Sequence, residues 1–185
     1  MALRIAAILR RSASGTPAGT DLATVAGLTL AVTDPAGRQQ VSVAFGVDGA
    51  RVADGPAAGA VVVVAIDKDG DICGTDGDLP PALGRVLQPE LPHWRTAADR
   101  FWSVTGADPG MPATLTVVAE GDGKAVLGQG APDYTIVGAG PALARVLTGR
   151  TLLLDALKHG SVTVRGTFPQ LSVMVGASWK ARWNA

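Results

Sequence analysis

The sequence predicts an α+β protein in which a mostly antiparallel sheet is covered on one face by helices. Three observations predict it. Short β-branched runs separated by tight-turn residues read as hairpins. Apolar segments that open on Pro and repeat at three and four residues read as helices. The two halves of the chain can also be laid on each other as hairpin–strand–helix–helix–strand units, each burying its apolar face. The 185 residues suit a single domain, 1–185, with enough surface to bury a core without disulfide or metal.

Residues 1–20 read as an N-terminal helix and linker. Leu3, Ile5, Ile8 and Leu9 share a face, and Arg4 sits inside the apolar run, unlike a secretory leader. Gly27–Thr33 and Gln40–Phe45 are strands around Asp34-Pro-Ala-Gly37, a turn with Pro at its favoured second position. Val47-Asp48-Gly49-Ala50 holds the Asp-Gly pair of a tight hairpin, and Arg51–Asp54 returns from it. Ala60–Ile66 does not alternate and reads as a strand buried on both faces. An acidic loop, Asp67–Asp78, follows. Pro81–Leu87 and His93–Trp102 are helices, the second with Trp94, Ala97, Ala98, Phe101 and Trp102 on one side.

In the second half Thr114–Glu120 is a strand, Gly121-Asp-Gly123 a turn, Lys124–Leu127 the return and Tyr134–Val137 a further strand. Pro141–Leu147 and Thr151–His159 are helices. Gly160 stands at the C-terminal cap position, and His159 suits the negative helix end. Ser161–Arg165 is a strand. Leu171–Val175 reads either as a strand or as the start of a closing helix. Val41–Ile66 matches Leu115–Gly140 at a shift of 74, and Pro81–Gly106 matches Pro141–Gly166 at a shift of 60. Asp67–Pro80 is then an insertion without counterpart. The organisation is a first half-module over 22–106, with its acidic insertion over 67–80, and a second over 113–185.

Composition narrows the function classes. Apolar residues make up 47% and charged residues 17%, which excludes a disordered chain. Acids and bases balance at 16 each, so no basic excess invites nucleic acid. Cys73 is the only cysteine and forms no internal disulfide. The longest strongly apolar run, Gly59–Ile66, is far short of the roughly 20 residues of a bilayer span, so the expected location is the cytoplasm, without stable membrane insertion.

Catalytic and metal motifs do not assemble. Asp67-Lys-Asp69-Gly-Asp71 resembles a calcium loop but has Ile72 where glycine is needed and Asp78 where a bidentate Glu is needed. Gly121-Asp-Gly-Lys124 lacks the phosphate-loop spacing. Gly138-Ala-Gly140-Pro opens a helix, but Leu143 replaces the third glycine of a dinucleotide site. His93 and Asp99 are six apart and share no helix face. The expectation is no metal, no cofactor and no catalytic set.

One stretch carries a family resemblance. Pro132-Asp-Tyr-Thr-Ile-Val-Gly138 leads into Val146-Leu-Thr-Gly149-Arg150. Next come Leu153-Leu-Asp-Ala-Leu-Lys-His-Gly160 and Ser161-Val-Thr-Val-Arg-Gly166. This run resembles the sterol carrier protein 2 (SCP2) lipid-binding domain, most clearly over 114–175. Thr167-Phe168-Pro169 replaces the acidic residue usual after the last Gly, and Phe101-Trp-Ser-Val-Thr-Gly106 would be the corresponding strand of the first half. The resemblance implies an apolar tunnel for a sterol, fatty acid or acyl chain, with no enzymatic activity.

From helix faces, the expected tunnel residues are Leu83, Leu87, Trp94, Trp102, Leu143, Leu147, Leu153, Leu157 and Phe168. The expected partner is a lipid, with self-association as a homodimer also open. Two alternatives remain at this point. One is an SCP2-like scaffold with a filled core that self-associates or docks an enzyme. The other is a small enzyme using His93 and Asp99.

Overall fold

The computed structural model describes residues 5, 9, 23–46, 49–56, 58–67, 71–131 and 133–184. They fall into two compact units, Met1–Glu90 and Leu91–Ala185. Of the N-terminal helix and linker over 1–20, Ile5 and Leu9 are described. Both are helical and buried in the first unit's core, and the rest of that segment lies outside the described residues. So do Val47 and Asp48 of the Asp-Gly turn, and Pro132.

The first unit contains β1 (Thr29–Thr33), β2 (Gln40–Gly46), β3 (Gly49–Asp54), β4 (Val62–Ile66), β5 (Ile72–Asp76) and helix α1 (Pro81–Leu87). Its sheet runs β3-β2-β1-β4-β5, with β1 and β4 parallel and every other neighbour antiparallel. The Asp34 turn forms as expected. Its carboxylate accepts the Gln39 N–H at 2.8 Å, and Gly37 takes the left-handed conformation at φ 67°. Leu30, Val32, Val41, Val43, Phe45, Val62, Val64 and Ile66 point to one side, where Leu83, Val86 and Leu87 of α1 cover them.

Two sequence expectations change here. β4 alternates after all: Val62, Val64 and Ile66 are buried while Val63 and Ala65 are half-buried, so it is covered on one face, not both. The acidic loop Asp67–Asp78 also contains a strand, β5, paired along the free edge of β4. Asp67 and Asp71, which flank the connection, bond to each other: the Asp67 N–H donates to the Asp71 carbonyl and the Asp71 N–H to the Asp67 carboxylate, at 2.9 Å each. Residues 68–70 lie outside the described set. Among the described residues no group of three or more His, Cys, Asp or Glu is placed to hold a metal ion.

The second unit runs α2 (Trp94–Thr105), β6 (Thr114–Ala119), β7 (Gly123–Gly128), β8 (Asp133–Gly138), α3 (Gly140–Leu147), α4 (Leu153–Lys158), β9 (Val162–Arg165) and α5 (Phe168–Asn184). The sheet order is β7-β6-β8-β9, with β6 and β8 parallel and the outer pairs antiparallel. Strand alternation sends Leu115, Val117, Ala119, Tyr134, Ile136 and Val162 inward to meet the four helices. Leu171–Val175 lies within α5, so the closing-helix reading holds. Phe101-Trp-Ser-Val-Thr-Gly106 is not a strand but the last turns of α2, where the Thr105 hydroxyl donates to the Phe101 carbonyl at 2.7 Å. Helix α2 belongs to this unit, although the sequence match grouped it with the first half.

Both units are α+β, and their strand orders correspond. Removing β3 from the first sheet leaves β2-β1-β4-β5, which carries the same antiparallel, parallel and antiparallel pairings as β7-β6-β8-β9. The units thus share a strand-pairing order, displaced by one strand from the sequence match, while the expected hairpin–strand–helix–helix–strand unit is formed by the second alone. Hairpin β1–β2 is the counterpart of β6–β7, whereas the shift of 74 laid β2–β3 there. β5, inside the supposed insertion, is the counterpart of β9. Where the second unit places α3 and α4 between β8 and β9, only residues 67–71 separate β4 from β5 in the first.

Candidate functional site: the helix–sheet interior of the second unit

The interior forms where the amphipathic faces of α2, α3, α4 and α5 meet the inward face of the sheet. Helix α3 contributes Leu143, Ala144, Val146 and Leu147, and α4 contributes Leu153 and Ala156. Helix α5 turns Met174, Ala177, Ser178 and Ala181 inward, the last three being small residues that let a helix approach closely. Gly149, at φ 66°, makes one such approach: a Cβ there would run into the backbone of Arg182.

The structure brings together six of the nine expected tunnel residues. Trp94, Leu143, Leu147 and Leu153 are buried in one cluster, and Trp102 and Leu157 pack half-buried against it. Leu83 and Leu87 are buried in the separate core of the first unit. Phe168 is 87% exposed and stands outside the interior. It opens α5, and the inward position near that end is taken by Gln170. The Gln170 amide donates to the Asp133 carbonyl at 3.1 Å, and its oxygen accepts from the Thr167 N–H at 2.7 Å.

At the rim, the tip of hairpin β6–β7 is fastened to the start of α2. The Asp122 carboxylate accepts from the Trp94 indole N–H and pairs with His93 Nε2 at 3.1 Å. Arg95 donates to the carbonyls of Asp122 and Lys124, at 3.0 and 2.9 Å, and lies over the Trp94 ring at 4.4 Å. The indole bond foremost, with His93 and Arg95 adding to it, lowers the Asp122 carboxyl below its ordinary value. His93 Nδ1 accepts the Arg95 N–H at 3.3 Å as the helix N-cap. The set is a clamp. His93 faces Asp122, and no bond joins it to Asp99 among those described. His159 Nδ1 lies 2.7 Å from the Asp155 carbonyl, so the ring serves the C-terminal end of α4, as expected.

Sequence reasoning passed over Tyr134, the chain's only tyrosine. The signal was there, since the alternation Asp133-Tyr-Thr-Ile136 puts Tyr134 on the side of Ile136. Its side chain is fully buried, and its Oη has no hydrogen-bond partner among the described residues. Gly166 makes room for the ring, because a Cβ there would overlap its edge. Burial alone pushes the phenol up to about 12, so it remains a neutral donor at physiological pH. A buried hydroxyl without a partner costs about 1–3 kcal/mol. Such a group in an apolar interior is the kind of polar feature by which binding sites orient a ligand.

The second unit is thus an α+β module whose helices and sheet enclose an apolar interior with one unpartnered phenol. No family model and no curated protein matches the chain. Among solved structures, a match is found to a protein described as UbiJ-SCP2 ubiquinone synthesis protein. It is 11% identical, the alignment covers 90% of this chain and 82% of that one, and the TM-score is 0.23. At those values the match assigns no role to any residue.

Proposed function

We propose that the chain is a non-enzymatic lipid-binding carrier that holds a sterol, fatty acid or acyl chain between the helices and sheet of the second unit. The observation that carries this reading is the makeup of that interior. Leu115, Ile136, Leu143, Leu147 and Leu153 supply apolar surface from both layers, and Tyr134 supplies a single polar atom. The resemblance to SCP2 domains falls on the same segment. Burying about 15 methylenes gains roughly 12 kcal/mol gross at about 0.8 each, and association costs about 4–15 kcal/mol. The balance favours reversible carriage, which needs no acid, base or metal. No described helix is long and apolar enough to cross a membrane. This reading places the carrier in the cytoplasm, meeting lipid without an inserted span.

Native mass spectrometry of freshly purified protein, followed by solvent extraction, tests the proposal. A bound species of a few hundred daltons is expected. A lipid-free mass, together with failure to bind added fluorescent fatty acids and sterols, rejects it.

A scaffold role is the second reading, favoured by the outward apolar side chains of α4 and α5. Leu154, Phe168 and Trp179 are 51%, 87% and 45% exposed. A protein partner retained through purification, with no lipid, would select it.

A further inference from the structure

We infer that the Tyr134 hydroxyl is the polar anchor of this site, donating a hydrogen bond to an uncharged oxygen of the bound lipid, so that the ligand is a neutral lipid and not a free fatty acid. The inference rests on the lipid-binding reading and specifies its ligand class.

Tyr134 is buried from both sides. Its strand lies between β6 and β9, and Gly166 sits against the ring, with the Gln170 amide oxygen also beside Gly166. The buried polar side chain beside Gly166 does not serve it. Gln170 commits its amide nitrogen to Asp133 and its oxygen to Thr167. The phenol is therefore a donor held in an apolar interior with no acceptor among the described residues. The group that completes it is an acceptor brought in with the ligand.

The surroundings decide the charge of that acceptor. Oη lies among apolar side chains, and no Lys, Arg or His nitrogen reaches hydrogen-bond distance of it among the described residues. A carboxylate delivered there would be a desolvated anion met by one neutral donor, an arrangement the interior disfavours. The unit's two buried arginines lie together, with Arg182 Nη2 3.5 Å from the Arg150 carbonyl, and Arg182 is twelve residues beyond Gln170, about 18 Å along a helix axis. An ester carbonyl, a ketone or a sterol hydroxyl needs only the one hydrogen bond that Tyr134 offers.

The test uses the full chain and Tyr134→Phe with three fluorescent probes: cis-parinaric acid, its methyl ester, and dehydroergosterol. The acid and ester share one hydrocarbon chain and differ in charge. The wild type is expected to bind the ester or the sterol about tenfold more tightly than the acid at neutral pH. Tyr134→Phe should lose about tenfold in affinity for the neutral probe, the size of one buried hydrogen bond. Its Tm without lipid should be unchanged or raised, because no protein bond is removed. An independent readout needs no variant: binding should perturb the near-ultraviolet absorption of the single tyrosine. Equal neutral-probe affinity in both proteins, or preference for the acid, overturns the anchor and leaves the lipid-binding reading standing. A lowered Tm with unchanged affinity assigns the hydroxyl to the fold and also overturns it. No binding of any probe to the wild type ends both.

Discussion

Two residues of the second unit titrate in opposite directions, and each shift has a local cause. Asp122 is held below its ordinary 3.8 by the Trp94 indole first, then by His93 and Arg95. A depressed carboxyl contributes stability that is complete above the unfolded-state value and is lost as pH falls through the folded one. The Tm gap between wild type and Asp122→Asn is therefore expected to be open at neutral pH and to close as pH drops below about 4. A gap that persists in strong acid would mean the clamp works without charge. Tyr134 runs the other way, from 10.0 up to about 12. A raised phenol pKa contributes stability present below pH 10 and lost as pH climbs toward 12. Because the chain has one tyrosine, phenolate absorbance reads it directly: titration near 10 in denaturant and near 12 in the native protein is the expected pair. These residues differ in legibility. Tyr134 was readable from strand alternation, whereas Trp94 and Asp122 meet across 28 positions with no periodic pattern linking them.

Among the elements, α4 shows how a short helix is stabilised from outside itself. Its N-cap residue, Leu152, has no side chain able to bond the first turn. The missing acceptor comes from α5, where the buried Ser178 hydroxyl takes the Leu153 N–H at 3.1 Å. Ser178→Ala leaves that donor buried without its acceptor, at a cost of about 1–3 kcal/mol. Urea unfolding should show the loss as a lower midpoint with an unchanged slope. An effect within about 0.5 kcal/mol would place the Leu153 N–H in water. The sequence made the helices of this unit visible through their three- and four-residue spacing, and Pro81 and Pro141 marked helix starts to within a residue. It hid β5, because Ile72-Cys-Gly-Thr-Asp76 has the turn-rich composition of a loop and becomes a strand only by pairing with β4. It also disguised the end of α2, since Phe101–Thr105 is aromatic and β-branched yet continues a helix whose apolar face is already buried.

At the scale of the whole chain, the half-to-half match pointed to a repeat but not to its correspondence. Similar hairpins, β2–β3 and β6–β7, attracted each other in a sequence rich in Ala, Gly and Val, while pairing geometry equates β6 with β1. The difference between the units bears on function. Only the second inserts helices α3 and α4 between its parallel-paired strand and its last strand, and those helices supply Leu143, Leu147 and Leu153. Each unit also closes a core from its own residues. The fragment 91–185 is therefore expected to fold alone and to keep whatever lipid the full chain carries. Its 95 residues should unfold in one calorimetric transition with an enthalpy of about 65 kcal/mol near 60 °C. Lipid binding by the fragment equal to that of the full chain would assign the site wholly to the second unit. A fragment that melts cooperatively but binds nothing, while the full chain binds, would overturn the assignment of the site to the second unit's interior.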